Sequence, residues 1–341
     1  MPDVGLPDCS GCADARKGFA IAPRKSCANA LDAPRVGGGG FATCGGMSFR
    51  KILCAVDFSE HATEALRTAA RLATEQGSEL VIVHAWYLSP TAFAGEYTYP
   101  AELIKDLALD AERGLADAVK QAQAWGAPKV SSHLADGPAW QKIVEVAEQT
   151  TGIDLIVVGT RGRTGLSRMV MGSVCEMVVR HAPCSVLAVP GGAATLAFTH
   201  LLCPVDFSDS ARRALELGVE LVRGPSASVT LLHVIEPPRV YGREPIVIEV
   251  TTRQVAAAQQ HLEGWASVVV ANRPIATTSL VRVGRSTLEI EKVLEEVPSF
   301  DLLAMGSHGR TGVRRIVLGS VAEKTVRHAH RAVLVARERR A

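Results

Sequence analysis

The sequence predicts an α/β protein of two tandem doubly wound domains, each a five-stranded parallel sheet flanked by helices, and three observations predict it. First, a glycine loop is written twice. Gly159-Thr160-Arg161-Gly162-Arg163-Thr164-Gly165 runs on to Gly172-Ser173, and Gly306-Ser307-His308-Gly309-Arg310-Thr311-Gly312 runs on to Gly319-Ser320, with the same gaps between the glycines. Second, Ile52-Leu53-Cys54-Ala55-Val56-Asp57-Phe58-Ser59 returns as Leu201-Leu202-Cys203-Pro204-Val205-Asp206-Phe207-Ser208, and Val81-Ile82-Val83-His84 returns as Leu231-Leu232-His233. Third, short apolar runs alternate with segments of helical periodicity in both copies, which implies a parallel sheet with both faces covered. The repeating unit is about 145 residues, an ordinary size for one hydrophobic core.

In chain order, strands are expected over 52–56, 80–85, 130–134, 154–158 and 185–189, then over 201–205, 229–234, 277–283, 301–305 and 332–335. Ala62, Ala65, Leu66, Ala69, Ala70, Leu72 and Ala73 form a helical stripe after the first strand. Ser59 and Ser208 are N-cap candidates for the first helix of each copy, and Asp209 adds a carboxylate where the helix dipole favours one. Right-handed crossovers leave few topologies. The two domains are placed at 47–192 and 199–338.

Residues 1–46 contain Gly37-Gly38-Gly39-Gly40, four prolines and Cys9, Cys12, Cys27 and Cys44, with no sustained period. A disordered arm is the simplest reading. A zinc site is the alternative, because Cys9 and Cys12 have ligand spacing, although Cys27 and Cys44 stand apart rather than as a second close pair. Met47, directly before the first strand, is an alternative start of the natural chain, which mass spectrometry would decide.

Across 341 residues, 47% are apolar, 21% are charged and the net charge is +2, so no electrostatic argument points to nucleic acid. No apolar run approaches the ~20 residues of a membrane helix, and no secretion signal opens the chain, so the expected compartment is the cytoplasm. Cys54, Cys203, Cys175 and Cys184 read as buried, reduced thiols.

In a doubly wound sheet, strands one and four flank the point where the winding reverses, leaving a crevice above their carboxyl ends. Asp57 and the Gly159 loop are expected to meet there, as are Asp206 and the Gly306 loop. An Asp carboxylate accepts hydrogen bonds from ribose hydroxyls, while glycines let backbone N–H groups approach phosphate oxygens. Gly172-Ser173 and Gly319-Ser320 add N–H groups and a hydroxyl at a helix start. A cap role for Asp57 or Asp206 is the weaker reading, since a serine already occupies the cap. His84 and His233 are read as structural, bonded at the sheet edge, with ligand or base as the alternative. Arg163 and Arg310 are read either as phosphate contacts or as solvated loop charges.

At these residues the chain resembles the universal stress protein family in its tandem form, over residues 50–190 and 199–336. The ATP-binding members carry Gly, two residues, Gly, nine residues, then Gly and Ser or Thr. Gly159, Gly162, Gly172 and Ser173 match, as do Gly306, Gly309, Gly319 and Ser320. The resemblance implies a Rossmann-like, adenine nucleotide alpha hydrolase-like sheet in the order 3-2-1-4-5 in each half. Asp57 and Asp206 would lie at the ribose side, and the backbones of Ala85 and Val234 would meet adenine. Val174 and Val321, next to the serines, complete the expected nucleotide-binding set. The last strands of the halves are expected to pair, giving an intramolecular pseudo-dimer, with a homodimer as a further option. The chain departs from its own repeat at His330-Arg331, opposite Pro183-Cys184, and at Cys175, opposite Ala322.

The expected function is an ATP-binding regulator or sensor in the stress response whose nucleotide state a signalling protein reads. No catalytic residue and no protein metal cage are assigned, and magnesium is expected from ATP chemistry alone. One alternative is a slow ATPase, opposed by the lack of a Gly-Lys-Ser/Thr phosphate loop and of a nucleophile-base pair beside the glycines. The other is a nucleotide-independent stress scaffold, which would not need phosphate-cradling glycines.

Overall fold

The computed structural model describes residues 49–87, 100–162, 171–192, 197–237, 239–240, 246–247, 250–270, 273–309, 318–328 and 330–337. Residues 1–46 with their four cysteines, and Met47, lie outside the described residues. The described residues belong to one compact unit, Thr43–Ala341.

The first half runs β1 (Lys51–Ala55), α1 (Glu60–Gln76), β2 (Glu79–Trp86), α2 (Ala101–Ala124), β3 (Lys129–Asp136), α3 (Ala139–Gln149), β4 (Ile153–Gly159), α4 (Ser173–His181) and β5 (Ser185–Val189). The second runs β6 (His200–Pro204), α5 (Asp209–Leu221), β7 (Ser228–Ile235), a short antiparallel pair β8 (Arg239–Val240) and β9 (Ile246–Val247), α6 (Thr252–Val269), β10 (Ala276–Val283), α7 (Ser286–Glu296), β11 (Leu302–Gly306), α8 (Ser320–His328) and β12 (Ala332–Ala336). Every expected strand is present. No helix among the described residues is long and apolar enough to cross a membrane.

The long strands form one ten-stranded sheet in the order β3-β2-β1-β4-β5-β12-β11-β6-β7-β10. Each half is parallel and has the expected order 3-2-1-4-5. The halves join where β5 and β12 pair antiparallel, with Val186 opposite Val335, Leu187 opposite Leu334 and Ala188 opposite Val333. Because side chains alternate along a strand, Ile52 and Cys54 face one core while Leu53 and Ala55 face the other. The first core packs α1, α2, α5 and α6 on one face, the second packs α3, α4, α7 and α8 on the opposite face, and both run unbroken across the join.

The helix stripe of α1 is buried as its spacing predicts, and the Ser59 and Ser208 hydroxyls cap α1 and α5 by accepting from Ala62 N and Ala211 N, each at 3.2 Å. Between α4 and α8, four charges cross the join reciprocally. Arg180 donates to Glu323 at 2.9 Å and Arg327 to Glu176 at 2.7 Å. These side chains are about one-third exposed, so each cross-pair should contribute only ~0.5–1 kcal/mol. A double-mutant cycle of Glu176→Gln and Arg327→Gln, read by urea unfolding, should give a coupling of that size, and doubling of the salt concentration should reduce it.

Candidate functional site

The site begins where β1 stops. Past Ala55 the chain passes through Val56 to Asp57, then turns at Phe58, whose φ of 62° lies in the left-handed region that a bulky side chain rarely adopts. Phe207 repeats it at 63°. Such a conformation costs ~1–3 kcal/mol and persists only when its surroundings enforce it. Here the Phe58 ring packs at 4.2 Å on the ring of His84, and His84 Nδ1 lies 2.7 Å from Val56 O. A carbonyl only accepts, so Nδ1 carries the proton. Gly114 on α2 makes room, since a Cβ there would lie 2.8 Å from the Phe58 ring. In the second half Phe207 packs on His233 at 4.6 Å, and His233 Nδ1 lies 2.7 Å from Val205 O. Both histidines thus have the structural role, tying the ends of two strands together.

This turn aims the carboxylate. Asp57 Oδ1 accepts from Ser59 N at 3.0 Å and Ser59 Oγ at 2.6 Å, and Asp206 Oδ1 accepts from Ser208 N at 3.1 Å and Ser208 Oγ at 2.6 Å. One oxygen of each Asp therefore braces the serine cap. The other oxygen lies towards the glycine loop.

The three glycines of each loop are small for different reasons. A Cβ on Gly159 would lie 3.1 Å from His61 O, and one on Gly306 would lie 2.8 Å from Ser210 C, so these glycines admit the first turn of α1 or α5 against the end of β4 or β11. A Cβ on Gly162 would lie 2.6 Å from Asp57 Oδ2, and one on Gly309 would lie 2.8 Å from Asp206 Oδ2. The expected meeting of Asp and loop is thus a close approach of glycine backbone to carboxylate. Gly172 is the N-cap of α4, and its N–H donates to Thr160 O at 2.7 Å, while Gly319 N donates to Ser307 O at 2.8 Å. These bonds set the first turns of α4 and α8 beside the loop, where N–H groups of the first turn have no partner within the helix. Arg163 and Arg310, with the rest of 163–170 and 310–317, lie outside the described residues.

Asp57, Ala85, Gly159, Gly162, Gly172, Ser173 and Val174 line a cleft of about 280 Å³ above β1 and β4. Asp206, Val234, Gly306, Gly309, Gly319, Ser320 and Val321 line its counterpart of about 220 Å³. Sequence reasoning missed one wall. Ala139 and Ile143 of α3 close the first cleft, and Ser286 and Ile290 of α7 close the second. Their only signal was amphipathic spacing, which does not tell which end of a helix overhangs the sheet. Val56 and Val83, with Val205 and Leu232 opposite, extend the apolar side.

Each cleft is therefore apolar against the third helix and polar against the loop and the fourth helix. That division suits a flat apolar ring at one end and an anion at the other. Cys175 lines the first cleft, but burial chiefly, helped by the Glu176 charge, pushes its thiol up to about 12, so it is neutral and a poor nucleophile. Burial likewise raises Cys54 and Cys203 strongly. The unfolded thiols ionise first, near pH 9, so stability holds below that pH and falls from about pH 9 to 12. Alkylation mapped cysteine by cysteine should leave Cys54, Cys175, Cys184 and Cys203 unmodified until the chain unfolds. Among the described residues, no cluster of three or more His, Cys, Asp or Glu is arranged to hold a metal ion.

A model of the universal stress protein family matches residues 48–190 and again 197–337. A universal stress protein of Methanocaldococcus jannaschii is 34% identical over 144 residues, which is 41% of this chain and 82% of the relative. Universal stress protein A homolog 1 of Coxiella burnetii is 32% identical over 145 residues, 42% of this chain and 97% of its own length. Among solved structures, a universal stress protein from Archaeoglobus fulgidus superposes with a TM-score of 0.63 at 20% identity, covering 85% of this chain and 99% of that one, a likeness of fold.

Proposed function

Since the chain belongs to the universal stress protein family, as two such domains in tandem, we propose that it is an ATP-binding regulator with one nucleotide site in each half. The observation that supports this reading is the duplicated convergence of an Asp carboxylate, a glycine loop and a helix N-terminus on one half-apolar cleft. Asp57 and Asp206 would accept from ribose hydroxyls through Oδ2. The backbone N–H groups of Gly162, Gly172, Ser173 and Val174, and of Gly309, Gly319, Ser320 and Val321, would take the phosphates, helped by the positive ends of α4 and α8. Adenine would lie against Val56 and Ile143, or Val205 and Ile290, within reach of the backbone of Ala85 or Val234. Magnesium would offset phosphate charge from the solvent side. The four crossing charges between α4 and α8 link the helices on which phosphate would sit, giving a partner protein a surface that senses occupancy.

Calorimetric titration of nucleotide-stripped protein with ATP and magnesium tests the proposal. Two sites per chain are expected, reduced to one by Gly172→Val. No heat, and no competition with a fluorescent ATP analogue, would overturn it in favour of a nucleotide-independent scaffold. Turnover is expected far below the ~1–1000 s⁻¹ of typical enzymes, and unchanged by Asp57→Asn with Asp206→Asn.

A further inference from the structure

From the first to the third glycine of each motif, 159–165 and 306–312, the two loops differ only between the first two glycines, where Thr160-Arg161 stands opposite Ser307-His308. Arg161 lines the first cleft and His308 the second. We infer that the two clefts are tuned to different phosphate loads, the first to a nucleoside triphosphate and the second to a nucleotide carrying a single phosphate. The inference rests on the nucleotide reading above and adds which ligand each half prefers.

An arginine is positive at every physiological pH, and its planar fork matches two phosphate oxygens at once. The imidazole is different in kind. His308 Nδ1 lies 2.9 Å from Ser307 Oγ, which holds the ring, while Nε2 is buried without a hydrogen-bond partner in the protein. That atom offers one hydrogen bond to a ligand oxygen rather than a fork and a permanent charge. The second cleft is also smaller, about 220 Å³ against 280 Å³. Arg163 and Arg310 occur in both loops and so do not separate them. Among the described lining residues, the first cleft pairs one carboxylate with one guanidinium, and the second has its carboxylate with no arginine or lysine.

Titration of the full chain with ATP and with AMP, in magnesium, reads the difference. The ATP isotherm should show two classes of site separated by about 10-fold or more, the gain expected of a hydrogen bond to a charged group. Arg161→His should merge the classes at the weaker affinity, and His308→Arg should merge them at the tighter one. AMP should favour the second cleft. Both substitutions are at loop positions outside the cores, so an unchanged melting temperature separates a specificity effect from misfolding. Two sites with one ATP to AMP ratio, or classes that neither substitution merges, would overturn this inference alone. Absence of nucleotide binding at both clefts would overturn it together with the proposed function.

Discussion

Gly162→Ala is expected to remove ligand binding from the first cleft while the fold and the second cleft stay intact. The added Cβ would lie 2.6 Å from Asp57 Oδ2. The carboxylate has little freedom to retreat, because Oδ1 is bonded to both the N–H and the hydroxyl of Ser59, and that hydroxyl caps α1. The turn behind it is held by the Phe58 and His84 rings. The loop must therefore move outward, carrying its N–H groups from the helix N-terminus they share a cleft with. Affinity at that site should fall about 100-fold, or ~2.8 kcal/mol. The melting temperature should change by no more than about 2 °C, since a loop substitution of this kind touches no core residue. Calorimetry would read one remaining site. Wild-type affinity in this variant would show that the contact between carboxylate and loop plays no part in binding. Gly309→Ala should do the same to the second cleft, where the Cβ would lie 2.8 Å from Asp206 Oδ2.

Leu187→Ala should cost ~3–4 kcal/mol, within the range for a buried leucine whose surroundings relax only partly. Leu187 is fully buried on β5, opposite Leu334 of β12, which is also fully buried. Both belong to the core that holds α1 and α5 against the sheet. A cavity there weakens the two halves together, because neither has a core of its own on that face. Denaturant unfolding should remain one transition, shifted as a whole, with an unchanged slope. Two separated transitions would mean that the halves fold as independent units and that the join is a docked contact.

Much of this was legible in the chain. Strand positions followed from apolar runs, the α1 stripe from its spacing, and the Ser59 and Ser208 caps from the residue type at a strand-to-helix turn. The pairing of Asp57 with the Gly159 loop was legible because winding reversal in a parallel sheet leaves one crevice, and duplication repeated the pattern. The glycines looked alike in sequence, yet Gly159 and Gly306 serve helix packing while Gly162 and Gly309 face a carboxylate. That distinction depends on which atoms approach across the fold. Ile143 and Ile290 were unreadable as site residues for the same reason, since periodicity reports a buried face and not what it faces.

Local periodicity, capping and internal repetition specify two α/β units, their strands and helices, and a repeated set of Asp, Gly and Ser positions. The pairing of β5 with β12 was implied by the family resemblance, whereas its antiparallel register, the cores shared across it, the left-handed turns at Phe58 and Phe207, and the helix wall of each cleft emerge only in the folded chain. Those depend on contacts between residues distant in the chain, whose energies come from burial and close approach and leave no mark on neighbouring positions.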